Sequence, residues 1–342
     1  MTRTRAPLLS TPLLSTPLLN KSLLTTLLCA GLYALAPGAS AQTYPSKPVR
    51  VIIPAAPGGA VDTIGRVLAE KLGAALGQSF VPENMAGAGT MIGSEFIAKA
   101  APDGYTMLVM TNSHTINAAV RKTLRYDPVK DFSTVALVAT LPDLLLVNPS
   151  VPANTVRELI DLALKSPGKI TFASAGAGSG THLDGELFKS LASIDILHVP
   201  YKGGTPAVTD LVGGHVQMMF SNPITAIAHV NTGRLRALGI TSAKRSALLP
   251  NVPTIAEAAI PGFESGTWYG VLLPANTPAA IVNTLNREIN KALNSPEVRK
   301  RINGDGGEVV GGTPQEFARY LVEDIQRWKK LVEANPKLRI DD

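Results

Sequence analysis

The chain has 342 residues, of which 45% are hydrophobic and 17% are charged, a composition that supplies a buried core and excludes a disordered chain. Its length suggests about two domains. The formal net charge is +6, and half of it comes from residues 1–41, which contain three basic and no acidic residues. The remaining charge is too weak for an electrostatic nucleic-acid-binding surface, so that class of function is excluded.

Residues 1–41 have the pattern of an export signal. Arg3, Arg5 and Lys21 precede an apolar run at residues 22–35, and Ala39-Ser-Ala41 fits a small-residue cleavage site. The run has 14 residues, whereas a membrane span needs roughly 20. We therefore predict a cleaved signal peptide and a periplasmic protein. The only cysteine, Cys29, lies in this segment, so the mature chain is predicted to have no disulfide, thiol nucleophile or cysteine-based zinc site.

The first part of the mature chain alternates predicted strands and helices. Helices are predicted at residues 61–76 and around Ile97, and strands at residues 49–53, 80–81 and 105–110. A Pro57-Gly58-Gly59 turn separates the first strand from the first helix. Alternation at this spacing predicts a parallel sheet of the α/β class.

The same alternation restarts after Pro149. The predicted helices cover residues 156–164, 183–191, 206–212 and 224–230, and the predicted strands cover residues 169–174, 194–199, 216–220 and 235–241. A glycine-rich turn at residues 176–180 again separates a strand from a helix. The sequence therefore predicts a second α/β unit.

The segment after Pro253 contains one predicted strand, at residues 267–273, and two amphipathic helices, at residues 279–293 and 314–331. These elements are too few for a third core, so we expect them to complete the first unit. The prediction is two lobes, one formed by residues 42–142 and 253–342, the other by residues 143–252. The chain would cross between them near residues 140–146 and 238–252, which creates a hinged cleft for a small ligand.

The two glycine-rich turns are suited to binding an anion. A helix N-terminus carries unpaired backbone amides and a partial positive charge, and glycine lets an anion approach closely. We therefore predict ligand contacts at Pro57, Gly58 and Gly59 in one lobe and at Gly178 in the other. The alternative is that these glycines only make tight turns.

Short polar side chains follow several predicted strands, at the edge where open α/β sheets bind ligands. They are candidate ligand-binding residues, although capping and turn formation are common alternatives. The set consists of Thr111, Ser113, Ser174, Ser179, Thr181, Ser221 and Asn222.

Asp62, His182 and Tyr201 complete the candidates that follow from the residues alone. Asp62 can pair with Arg66 four residues later on the same helix, or it can contact ligand or bound water. His182 can cap the second helix or line the cleft. The histidines show no metal-ligand spacing, and we find no catalytic, phosphate-loop or dinucleotide-binding signature. The sequence predicts a binding protein without cofactor or metal.

Seven motifs in chain order resemble the periplasmic substrate-binding proteins of tripartite tricarboxylate transporters, also called the Bug or TctC family. They are Pro54-Ala-Ala-Pro-Gly-Gly-Ala-Val-Asp62, Val81-Pro-Glu-Asn-Met-Ala-Gly-Ala-Gly89, Ala101-Pro-Asp-Gly-Tyr105, Ser174-Ala-Gly-Ala-Gly-Ser-Gly-Thr-His-Leu183, Val199-Pro-Tyr-Lys-Gly-Gly204, Leu249-Pro-Asn-Val-Pro-Thr-Ile-Ala-Glu257 and Trp268-Tyr-Gly270.

The resemblance implies a two-lobed Venus-flytrap fold, similar to type II periplasmic binding proteins, with two hinge crossings. It implies that residues 57–59 and 174–181 hold one carboxylate through backbone amides and ordered waters. The implied ligand is a di- or tricarboxylate, an acidic amino acid or an aromatic acid, which a monomeric receptor passes to an inner-membrane permease. A receptor read by a membrane sensor kinase is the alternative function, and an exported hydrolase is a remote one.

Three residues depart from the family pattern. Met85 stands where a basic residue is common, Ala55 where an aromatic residue often follows the first proline, and Gln217 where aspartate is usual. Met85 is therefore a candidate ligand-binding residue. A less charged or aromatic acid is conceivable as ligand.

Overall fold

The computed structural model describes residues 1–2, 44–304 and 306–340. Residues 3–41 of the predicted signal peptide, with Cys29, lie outside the described residues. Within the described part, no helix combines the length and the apolar character that crossing a membrane requires.

The strands of the described chain belong to two sheets. In chain order they are β1 (Val49–Ile53), β2 (Phe80–Asn84), β3 (Thr106–Thr111), β4 (Phe132–Leu141), β5 (Leu144–Val147), β6 (Thr171–Ser174), β7 (Leu197–Pro200), β8 (Met218–Ser221), β9 (Arg236–Ile240), β10 (Thr267–Pro274) and β11 (Glu308–Gly311). The sequence analysis did not predict β4, β5 or β11.

The α-helices of the same part of the chain connect and cover these strands. They are α1 (Ala60–Leu76), α2 (Met91–Ala98), α3 (Ser113–Val120), α4 (Val156–Lys165), α5 (Gly180–Leu191), α6 (Gly204–Val212), α7 (Pro223–Asn231), α8 (Ile255–Ala258), α9 (Ala279–Leu293), α10 (Pro296–Gly304) and α11 (Pro314–Ala334). Short 3-10 helices occur at Ala88–Thr90 and Pro336–Leu338.

The first sheet has six strands in the order β11-β4-β10-β3-β1-β2. The predicted parallel pairing is confirmed for β1 with β2 and β3. Strand β10 lies antiparallel between β3 and β4, and β11 pairs antiparallel with β4. The late strand β10 thus returns to the centre of the first sheet, where all eight of its residues are buried.

The second sheet has five strands in the order β7-β6-β8-β5-β9. Strand β6 is parallel to β7 and β8, whereas β5 is antiparallel to β8 and β9. Each sheet has its own main clusters of buried aliphatic and aromatic residues, and a further cluster joins Leu183 of α5 to Ile116 of α3 and Trp328 of α11. The chain therefore forms two α/β lobes.

Within residues 44–304 and 306–340, the chain passes between the sheets twice. The first passage is Pro142-Asp143, between β4 and β5, inside the predicted interval. The second lies at residues 264–266, later than the predicted 238–252 and beyond the predicted lobe boundary at residue 253. The reason is packing: Ile255, Ile260 and Phe263 are buried in the core of the second lobe, so the chain rejoins the first sheet only at β10.

Candidate functional site

A cavity of about 110 Å³ lies between the two lobes. Its wall consists mainly of glycine, alanine, hydroxyl and amide residues. Within the described residues, Lys202 is the only charged side chain that lines it, and no aspartate or glutamate does. The described wall therefore offers neutral hydrogen-bonding groups among small apolar residues and no acidic side chain.

Six helices start at this wall, three from each lobe. The residues just before their first turns all line the cavity: Gly59 for α1, Thr90 for α2, Asn112 for α3, Ser179 for α5, Gly203 for α6 and Asn222 for α7. Only α5 has a side-chain cap, because the Ser179 hydroxyl accepts a hydrogen bond from the His182 amide at 3.3 Å. The residues that precede the other five helices make no side-chain cap, although the Ser113 amide of α3 donates to the Thr111 hydroxyl at 3.3 Å.

Three helices that start away from the cavity are capped differently. Thr155, Thr254 and Thr313 precede α4, α8 and α11, and each side chain accepts a hydrogen bond from a backbone amide of the first turn. Capping of this kind satisfies helix N-termini that have no other partner. At the cavity, the first turns of six helices bring their partial positive charge to the wall of the space that a ligand would occupy.

The first glycine-rich turn is held in place by Asp62. Its Oδ2 accepts hydrogen bonds from the Gly58 amide and from Arg66 Nε, both at 2.9 Å, and its Oδ1 accepts one from Asn84 Nδ2 at 2.8 Å. Burial acts to raise the pKa of Asp62, but these three donors outweigh it and hold the pKa below its usual value. The side chain does not line the cavity and instead fixes the turn that presents Gly59.

The second glycine-rich turn is supported by two histidines. The Gly178 amide donates to His182 Nδ1 at 3.2 Å, and the rings of His182 and His198 stack with centroids 4.0 Å apart. Ser174 Oγ lies 2.6 Å from His198 Nε2. Burial lowers the pKa of His182 to about 3 and that of His198 to about 4, with the neighbouring ring adding to the effect at His182. Both imidazoles are therefore neutral near pH 7. They support the turn and do not line the cavity.

Tyr269 joins the two lobes across the cavity. Its hydroxyl accepts a hydrogen bond from Asn222 Nδ2 at 3.1 Å, and both side chains line the wall. Burial raises the pKa of Tyr269 well above its usual value, so the phenol keeps its proton. Its O–H can therefore be donated to a bound acceptor.

The structure brings eight of the fifteen predicted site residues to the cavity wall: Gly59, Thr111, Ser113, Ser179, Thr181, Tyr201, Ser221 and Asn222. The other seven do not line it: Pro57, Gly58, Asp62, Met85, Ser174, Gly178 and His182. Five of these seven, Gly58, Asp62, Ser174, Gly178 and His182, take part in hydrogen bonds that hold the two turns.

The residues that depart from the family pattern occupy different places. Ala55 lines the cavity, whereas Met85 packs against the apolar cluster around Ile52 and Ile97. Gln217 accepts hydrogen bonds from the Thr171 amide at 2.8 Å and hydroxyl at 2.6 Å, at the start of β6. Of the three, only Ala55 is placed to alter the cavity directly.

Sequence reasoning missed several lining residues, among them Thr90, Met219, Thr225, Thr267 and Tyr269. The sequence did mark Tyr269 as unusual, because it belongs to the aromatic pair at the start of the late strand. Its position next to Asn222 depends on β10 lying between β3 and β4, which the sequence pattern did not reveal.

Comparisons with known proteins agree with this fold. Residues 64–336 match the model of the tripartite tricarboxylate transporter family receptor. Protein BugT of Bordetella pertussis is 38% identical over 303 residues, covering 88% of this chain and 93% of BugT.

Two solved structures from Rhodopseudomonas palustris superpose with a TM-score of 0.82 each. One, solved with adipate, is 36% identical and covers 85% of this chain and 97% of its own. The other, MatC with bound malate, is 34% identical and covers 84% of this chain and 100% of its own. The predicted two-lobed periplasmic binding protein fold is thus confirmed. The family match, the relatives and the fold together show that this chain belongs to the tripartite tricarboxylate transporter receptor family.

Proposed function

We propose that this chain is an extracytoplasmic receptor that binds a small carboxylate between its lobes and delivers it to a membrane permease. The observation that supports this is the convergence of six helix N-termini, five without a side-chain cap, on one cavity. Backbone amides at helix N-termini stabilise an anion without any arginine. The hydroxyl and amide side chains of the wall add neutral hydrogen-bonding groups.

A small aliphatic dicarboxylate is the first candidate ligand. The related structures were solved with adipate and with malate, which both belong to this class. The cavity of about 110 Å³ favours a short ligand. Lys202 is the only cation among the described lining residues, which disfavours a tricarboxylate.

The binding mechanism follows from the division of the helices between the lobes. Helices α1, α2 and α3 belong to the first lobe, and α5, α6 and α7 belong to the second. All six N-termini surround a ligand only when the lobes are closed. A carboxylate therefore binds the closed form more tightly and shifts the population towards it.

A thermal-shift screen tests carboxylate binding. The protein, refolded to remove bound ligand, is heated with adipate, malate and other acids, and with the matching neutral amides. A ligand at 100 times its Kd adds about 2.7 kcal/mol of stability. We expect a shift with at least one acid and none with its amide. Equal shifts with acid and amide, or none with any acid, would contradict a carboxylate site.

Delivery to a permease needs its own test. Vesicles containing a tripartite tricarboxylate permease are supplied with the radiolabelled acid, with and without the receptor. Uptake that requires the receptor supports transport. If a membrane sensor kinase is activated by the loaded receptor and the permease shows no dependence on it, the signalling alternative is correct.

A further inference from the structure

Two buried aspartates meet at the hinge. Asp143 lies at the first passage between the sheets, and Asp184 lies on α5, with relative exposures of 0% and 3%. Their carboxyl groups are hydrogen-bonding neighbours. Asp143 Oδ2 accepts a hydrogen bond from the Thr267 hydroxyl at 3.0 Å. Asp143 Oδ1 and Asp184 Oδ2 have no donor among the described groups.

Two ionised carboxylates cannot satisfy each other, because each offers only acceptors. Placing both charges together in a buried site is also unfavourable, since burial and like charge both favour the protonated form. One proton removes both problems, because a protonated carboxyl can donate to its neighbour. We propose that Asp143 and Asp184 form a proton-binding site at the hinge, which holds one proton between the two carboxyl groups.

The charged and titratable groups around the two aspartates do not compensate the negative charge of this pair. Strand β10 contributes Tyr269, whose phenol is protonated. Helix α11 contributes Arg327, whose side chain is 61% exposed and already pairs with Asp324 at 2.6 Å. Burial is the main cause that raises the pKa of both aspartates, and for Asp184 the charge of Asp143 adds to it.

The site connects the hinge to the cavity. Thr241 Oγ1 accepts a hydrogen bond from the Asp143 amide at 2.8 Å, and the Thr241 carbonyl accepts one from Ser265, in the second passage, at 3.0 Å. Asp184 lies four residues after Gly180, which lines the cavity. The Asp143 backbone is thus joined to the second passage through Thr241, and the shared proton joins the Asp143 carboxyl group to α5. This inference needs only the hinge geometry, so its test does not require the proposed ligand.

Infrared difference spectra between the ligand-free wild type and its variants test the site. We expect wild type at pH 7 to show the carbonyl stretch of a protonated carboxylic acid. This band should disappear in Asp184→Asn, which keeps a side-chain donor towards Asp143, and in Asp143→Asn. The matched control is Glu186→Gln on the same helix, because burial also raises the pKa of Glu186. The control should keep the band.

A missing band in wild type, or a band lost only in Glu186→Gln, would overturn the proposal. If the Asn variants fail to fold, a pH titration of the wild-type band decides. One protonated carboxyl that ionises well above the usual aspartate pKa, together with a loss of stability, supports the site. Ionisation of the band near the usual aspartate pKa would refute the shared proton.

Denaturant unfolding gives the second readout. A folded-state pKa above the unfolded value contributes stability that is complete at low pH and is lost as the pH rises through the folded pKa. Wild type should therefore lose stability with rising pH, and Asp184→Asn should lose less over the same interval. Identical pH profiles for the two proteins would count against the shared proton.

Discussion

Asn222, in the second lobe, donates a hydrogen bond from Nδ2 to the hydroxyl of Tyr269, in the first lobe, at 3.1 Å. Both residues line the cavity, and Tyr269 is only 1% exposed. The bond therefore connects the lobes at the place where a ligand would bind. It also orients the phenol, whose own O–H can be donated to a ligand acceptor.

Tyr269→Phe should weaken carboxylate binding about two- to twelvefold, because a hydrogen bond contributes about 0.5–1.5 kcal/mol. Isothermal titration calorimetry measures the change. The matched control is Tyr320→Phe, which removes a phenol from an apolar cluster of the first lobe away from the cavity. Equal affinities for the two variants would show that the Tyr269 hydroxyl does not contribute to the bound state.

Gly89→Ala should block lobe closure. Gly89 has φ +60°, and a Cβ there would overlap the carbonyl oxygen of Ala177 in the other lobe. The variant should bind carboxylate much more weakly. X-ray scattering should show no compaction on adding the acid that binds wild type.

Gly233→Ala is the control that distinguishes the effect of this clash from the effect of backbone strain. Gly233 has φ +70° and open space around its Cβ position, so both alanines carry the same strain, roughly 1–2 kcal/mol. The control should lose similar stability yet still bind and close. Normal closure of Gly89→Ala would mean that the bound form differs from the contact seen between Gly89 and Ala177.

Gly59→Asp should weaken anion binding at least tenfold while preserving the fold. Gly59 precedes α1 with φ −79° and ψ 171°, and a Cβ there meets no atom closer than 3.8 Å. Aspartate can therefore cap the helix with its own carboxylate. That carboxylate competes with the ligand for the same amides, so the affinity should fall at least tenfold, about 1.4 kcal/mol.

Gly59→Asn provides the neutral cap for comparison. It fills the same space without a negative charge, so it should weaken binding less than Gly59→Asp. Thermal unfolding checks that both variants fold. Equal affinities for the aspartate and asparagine variants would argue against electrostatic recognition at α1.

Asp62→Asn should destabilise the protein at neutral pH and lose this effect in acid. The pKa of Asp62 is lowered in the folded state, so its contribution is present above the unfolded pKa and is lost as pH falls through the folded pKa. Hydrogen bonds to a charged group contribute about 1.5–3 kcal/mol, so we expect a loss of about 1–2 kcal/mol at pH 7. Urea unfolding from neutral to acidic pH measures it. A gap between the two proteins that widens in acid would contradict this assignment.

The sequence pattern predicted the local structure near the cavity well. The two glycine-rich turns and the helices after them were predicted because glycine, helix periodicity and strand composition act over a few residues. The second helix begins at Gly180, three residues before its predicted start. The short polar residues at strand ends, such as Ser113 and Asn222, also reached the wall. These residues follow the carboxyl ends of predicted strands, and in an open α/β sheet that edge is where ligands bind.

Long-range pairing was harder to predict. The second passage between the lobes was placed too early, because buried Ile255 and Phe263 pack on the second lobe after its last strand has ended. Met85 follows a strand next to the cavity loops, yet its side chain turns to an apolar cluster. The position of each of these side chains depends on which distant part of the chain packs against it. The local sequence pattern does not contain that information.

The sequence by itself determined the two α/β units, the glycine-rich turns and the family resemblance, because each is written in contiguous residues. Only the tertiary structure decided that six helix N-termini meet at one cavity, that Asn222 reaches Tyr269 and that Asp143 lies beside Asp184. Asn222 and Tyr269, for example, are 47 positions apart in the sequence. These relationships exist because packing of two lobes around two chain passages brings distant segments together, and burial then sets the charge that each group can carry.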